Sequence, residues 1–125
     1  MISIEFAYDD VVMKQITKPR KGIYYPDLVI RLKRPESGTI TFYIELDSGA
    51  KGKKYWTSKI LSWNVPVLIL VLHEQRLKIM KQYMIDSGRK QITGFSIVNR
   101  FLKDGLAGTQ WHWLPDDKIA KCRFK

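Results

Sequence analysis

Asp27, Glu45 and Asp47 are the residues whose type and spacing suit metal-assisted chemistry, and the case for them rests on two strands. From Thr39 to Asp47 the residues Ile40, Phe42, Ile44 and Leu46 alternate with Thr39, Thr41, Tyr43, Glu45 and Asp47, a period of two that predicts a strand with one apolar face. Asp27 to Lys33 alternates likewise, with Leu28, Ile30 and Leu32 on one side and Asp27, Val29, Arg31 and Lys33 on the other. A three-residue turn, Glu36-Ser37-Gly38, with glycine in its left-handed position joins them as a hairpin. Counting outward from Pro35 facing Thr39 pairs Leu32 with Phe42, Ile30 with Ile44 and Leu28 with Leu46. Asp27 then stands opposite Asp47, with Glu45 two residues along on the same face. Like charges facing each other destabilise a sheet, and a divalent cation removes the conflict. Mg2+ or Mn2+ is held by carboxylate oxygens, water and substrate phosphate, and it activates water for phosphodiester hydrolysis.

The elements that must position these acids follow along the chain. Ile2–Phe6 reads as a first strand with Glu5 outward. A helix is expected from about Ala50 to Trp63, with Trp56, Ile60 and Trp63 as its buried stripe and Lys51, Lys54 and Lys59 off it. Val67–Leu72 is apolar without alternation, as in a central strand covered on both faces. Glu74–Asp86 reads as an amphipathic helix using Leu77, Met80 and Met84 and ending near Gly88. Phe95–Leu102 alternates like a strand, Thr109–Leu114 is expected as a short edge strand, and Lys118–Lys125 as a frayed basic end. The whole, residues 1–125, is expected to be one α/β domain with a mixed sheet flanked by helices.

Composition narrows the partners. With 22 Lys+Arg against 12 Asp+Glu the formal charge is +10, an excess most often met by a phosphate backbone, so DNA is the expected partner. Lys18, Arg20 and Lys21 in a loop, and Lys53 and Lys54 on the helix, are the expected phosphate contacts. The longest apolar run, Val65–Leu72, falls far short of the roughly 18 residues a bilayer requires. The acids in MISIEFAYDD do not suit a signal peptide, and the single Cys122 excludes an internal disulfide. A reducing, cytoplasmic setting is therefore expected.

The Pro26-Asp27 pair, a hairpin, and then Glu45-Leu46-Asp47 resemble the PD-(D/E)XK nuclease superfamily, the restriction-endonuclease-like fold, over roughly Glu5 to Leu72. Glu5 on a first strand, Pro-Asp, and Tyr43-Ile-Glu-Leu-Asp-Ser-Gly followed by Lys51 and a helix carrying Lys59 are most similar to the replication-relaxation family of plasmids and mobile elements. The resemblance implies a metal-dependent DNA endonuclease or nickase with Asp27 and Glu45 on the metal and Asp47 or Glu5 completing its shell. Asp47 stands where the superfamily has lysine, so Lys51 or Lys59 is expected to supply the missing ammonium. The alternative it leaves is a DNA-binding module on the same fold without catalysis. The chain begins near its first strand, so the family's amino-terminal helix is expected to be absent or compressed and its upstream winged-helix domain to be missing.

Other residues have weaker claims. Asp47 is equally a candidate N-cap for the following helix. Tyr24, Tyr25 and Tyr55 are candidate nucleophiles should tyrosine rather than water attack the phosphorus. His73 and His112 stand alone and are expected at a strand end or surface, and Trp111 and Trp113 offer a possible homodimer contact.

Overall fold

The computed structural model describes residues 3–9, 24–34 and 38–122. The described chain runs β1 (Ser3–Asp9), β2 (Leu28–Arg34), β3 (Gly38–Leu46), α1 (Lys53–Leu61), β4 (Val67–Val71), α2 (Glu74–Ser87), β5 (Thr93–Ile97), α3 (Val98–Gly108), β6 (Gln110–Leu114) and β7 (Lys118–Lys121). All seven strands join one sheet in sequence order. Parallel pairing of β3 with β4 and of β4 with β5 is flanked by antiparallel pairs on both sides. Parallel neighbours need a crossover between them, and α1 and α2 are those crossovers. The fold is thus α/β, a mixed sheet with three helices among the described residues.

β4 is the centre, with all five residues buried, as its unbroken apolar run requires. Val67, Ile69 and Val71 face α1 and α2, where Trp56, Ile60, Leu77, Met80, Met84 and Phe95 complete one core. Leu68 and Leu70 face the other way, toward Ile30, Phe42, Ile44 and Trp111, with Val98, Phe101 and Leu106 of α3 packed against them. Period two in the strand thereby feeds two cores, one on each side of the sheet. α2 matches its expected limits and stripe, and Gly88 ends it at φ 71°, the left-handed conformation glycine adopts without penalty.

The hairpin register differs from the count made on the sequence. Leu28 pairs with Ile44, Ile30 with Phe42 and Leu32 with Ile40, and Gly38, at φ 77°, is the last ladder position, opposite Arg34. Gly38 is therefore a strand residue and not part of the expected 36–38 turn, whose other two residues lie outside the described residues. A slip of two residues keeps every apolar side chain on its face, so the hydrophobic pattern does not distinguish the two pairings.

Three other expectations are corrected. α1 begins at Lys53, after Gly52, instead of near Ala50. The strand from Phe95 ends at Ile97, because Val98 and Phe101 are spaced as a helix needs and pack as one. β6 is not an edge, since β7 pairs along it and Trp113 Nε1 donates to the Ala120 carbonyl at 2.9 Å. Trp111, offered as a dimer contact, is wholly buried against Phe101 and Trp113. No helix among the described residues is long and apolar enough to cross a membrane.

Arg89 holds the site helix against the sheet. Its guanidinium is buried and donates to the carbonyls of Ile60 and Trp63 at 2.9 and 2.7 Å, to the Val65 carbonyl, and to the Thr93 hydroxyl at 2.8 Å. These include the Ile60 carbonyl at the C-terminal end of α1, which also accepts the Trp63 amide at 3.3 Å, and those of the turn into β4. Burial lowers its pKa to about 10, still charged at neutral pH. Replacing Arg89 with Met keeps the apolar stem but orphans buried carbonyls, at a cost of about 3 kcal/mol. The expected result is a lower urea midpoint with an unchanged slope, measured by equilibrium unfolding.

Candidate active site

The slipped register places acids differently from the count. Continuing the observed pairing sets Asp27 opposite Glu45, and the two residues are tied at short range. The Asp27 amide donates to Glu45 Oε1 at 3.1 Å, and the Leu46 amide donates to Asp27 Oδ2 at 2.8 Å. Glu45 lies on the α1 side of β3, where the helix covers it to 1% exposure, while Asp27 at the strand start remains half-buried. Pro26 restricts Tyr25, the residue before it, to extended backbone on the approach to β2.

Lys59 closes the third side. Its ammonium donates to Glu45 Oε2 at 3.1 Å and to the Tyr55 hydroxyl at 3.3 Å. The lysine is buried on the helix stripe, contrary to its expected place off it. Its position was legible in the spacing, since Lys59 lies three residues after Trp56 and four before Trp63, on the same face as both. Burial acts first on Glu45 and raises its pKa from 4.5 to about 8. The Lys59 charge opposes that rise, and the nearby Asp27 charge and carboxyl add to it. For Lys59, burial is the largest single effect and works against the ammonium, but the charge and hydrogen bond of Glu45, with Tyr55, together outweigh it and its pKa is raised.

Asp47 does not join this group. It is 1% exposed, and Arg76 grips both its oxygens, Nε to Oδ2 at 2.6 Å and Nη2 to Oδ1 at 3.1 Å. Oδ1 also accepts the Gly49 amide at 3.0 Å. A carboxylate so enclosed has both oxygens bonded within the protein, and it is not the N-cap of α1, which begins after Gly52 with no side-chain cap. Arg76 also donates to the Lys51 carbonyl at 2.6 Å, so the pair anchors the loop between β3 and α1 to the start of α2. Nothing in the local spacing of either residue announces a partnership between positions so far apart.

The remaining candidates separate clearly. Lys51 is exposed at the rim, its ammonium 5.2 Å from the centre of the Tyr55 ring, whereas Lys59 reaches Glu45. Glu5 pairs in backbone register with Arg31, four residues up β2 from Asp27 and roughly 13 Å away along a strand. Asp9, opposite Leu28, is the β1 acid nearest to Asp27 in register. Lys53 is paired with Asp86 at 2.7 Å, Lys54 is exposed, and Lys18, Arg20 and Lys21 lie outside the described residues. Tyr24 meets the Tyr55 ring edge-on at 5.8 Å, and Tyr25 is half-buried beside it in sequence. His73 caps α2 by accepting the Arg76 amide at Nδ1, 3.2 Å, and is not placed as a base on the acid pair. His112 has its pKa lowered, first by burial and then by Lys81.

Two carboxyls and one ammonium therefore converge instead of three carboxylates, and no cluster of three or more His, Cys, Asp or Glu forms among the described residues. Such a trio can hold a divalent cation between the carboxyls and present a positive charge to an anionic substrate. Compared with known proteins, the chain matches no family model, no curated protein and no solved structure.

Two outcomes test this assignment of roles. Asp47→Ala leaves the Arg76 guanidinium without its acid and lowers stability by about 3 kcal/mol, read by urea unfolding. For Glu45 the native pKa of about 8 exceeds the unfolded 4.5, so the native state keeps a proton that the unfolded state has released. Its stabilising effect is complete below pH 4.5 and declines as pH rises toward 8, by roughly 1 kcal/mol for each pH unit. Glu45→Gln flattens that decline in a pH series of unfolding midpoints.

Proposed function

We propose that this protein is a metal-dependent DNA endonuclease or nickase of the PD-(D/E)XK type, with Asp27 and Glu45 as metal ligands and Lys59 as the ammonium that the motif lacks at Asp47. The observation that carries this reading is the convergence of these three side chains from a strand start, the facing strand and the next helix. Antiparallel β1, β2 and β3, then α1 and a parallel β4, support a restriction-endonuclease-like core.

The donor set fits Mg2+ or Mn2+. Two carboxyls are brought together where they repel when both ionise, and their oxygens are the hard ligands such ions take alongside water and phosphate. Bound there, the ion would lower the pKa of water and offset charge on the phosphodiester. The protein's own groups do the rest. Glu45 must give up its proton and release Lys59 from Oε2 to serve as a ligand. Asp27, half-buried, is the more accessible of the two acids. Lys59 offers its ammonium to the developing negative charge, and water attacks the phosphorus in line with the leaving oxygen.

DNA as substrate rests on the +10 charge, and the replication-relaxation setting on the Tyr43–Gly49 segment with its following lysines. The test is supercoiled plasmid incubated with the protein and Mg2+ or Mn2+. Nicked or linear product is expected from the wild type, with rates lower by on the order of 100-fold or more in Asp27→Ala, Glu45→Gln and Lys59→Met. Plasmid that is bound but left intact by the wild type overturns catalysis and leaves a DNA-binding module. Calorimetric titration with Mn2+ is expected to show binding that Asp27→Ala abolishes.

A further inference from the structure

Lys59 has more around it than a carboxylate. Its ammonium lies 5.4 Å from the centre of the Tyr55 ring, 5.4 Å from that of Trp56 and 5.6 Å from that of Trp63. All three are within the roughly 6 Å at which a ring face attracts a cation. The rings are themselves braced. Tyr55 meets Tyr24 and Trp56 edge-on, Trp63 meets Tyr43 edge-on at 5.1 Å, and Trp63 Nε1 donates to the Tyr24 carbonyl at 3.2 Å. Trp56 and Trp63 are buried, so neither can turn away without opening the core.

A buried ammonium that loses its only carboxylate ordinarily leaves for water or gives up its charge. Here the loss of Glu45 would leave three ring faces and the Tyr55 hydroxyl in place. We infer that Tyr55, Trp56 and Trp63 form a cage that holds the Lys59 ammonium independently of Glu45, so that the ammonium stays beside the acid pair when Glu45 turns its oxygens to a cation. The three aromatic residues are positioning residues, and Lys59 is the group they present to a phosphate. The use of the cage in cleavage rests on the nuclease reading above, but the cage itself does not.

Ring currents read the position of the lysine directly, without metal or substrate. In NMR spectra of the wild type the Lys59 Hε protons are expected upfield of those of Lys54, which is exposed on the same helix. In Glu45→Gln most of that upfield shift is expected to remain, and in Tyr55→Leu to fall, with Tyr55→Phe close to wild type. A Lys59 signal in Glu45→Gln that collapses onto that of Lys54 overturns the cage. Far-ultraviolet circular dichroism checks that each variant is folded, and the phenylalanine variant keeps the test open if the leucine variant is not. With plasmid as substrate, Tyr55→Phe is expected to keep kcat within about threefold and Tyr55→Leu to lose on the order of 100-fold with KM little changed. A fully active leucine variant also overturns the proposal. An inactive wild type overturns the nuclease reading alone, because the Glu45→Gln spectrum still decides the cage.

Discussion

A carboxyl group buried to 1% exposure on the covered face of a sheet is costly, and the surroundings of Glu45 show how this fold tolerates it. One oxygen accepts the amide of Asp27 from the facing strand, and the other accepts the ammonium of Lys59 from the helix above. These bonds couple three pieces of the chain. The start of β2 must lie level with the end of β3, and α1 must lie with its Trp56–Lys59–Ile60 stripe against that end. Arg89 secures the second condition by bonding the carbonyls where α1 gives way to β4. A change in the hairpin register or in the seat of the helix would therefore separate the same trio.

Glu45 and Asp47 are two residues apart and equally buried, yet their environments give them different capacities. Asp47 meets a guanidinium in a two-pronged pair and an amide of its own loop, an arrangement that satisfies it and leaves no oxygen free for exchange. Glu45 meets an ammonium through a single contact, beside a second carboxyl that pushes its pKa up. One acid is structural, holding the loop that leads into α1. The other is held in a balance that a proton can shift.

The positive charge of the chain is divided in a similar way. Several cations of the described residues have internal duties, with Arg76 on Asp47, Lys59 on Glu45, Lys53 on Asp86, Lys81 on Asp117, Arg100 on Glu74 and Arg89 on carbonyls. Exposed pairs such as Lys53–Asp86 contribute little and can exchange for a phosphate. Arg76 on the buried Asp47 and the buried Arg89 cannot do so without disturbing the fold.

The alternation of β3, the unbroken run of β4 and the stripe of α2 are local patterns, and the sequence alone placed those elements and their buried faces correctly. It also singled out Asp27, Glu45 and Lys59, because acids on polar strand faces beside a helix with lysines are visible in one dimension. It did not choose among registers that differ by two residues, since both keep the same faces covered, and so it set Asp27 against Asp47 instead of Glu45. Nor did it show that Arg76 would take Asp47, or that Lys59 would lie among three rings. Those outcomes depend on side chains far apart in the chain meeting once the helices settle on the sheet, and pairwise electrostatics and packing at that range leave no period in the sequence.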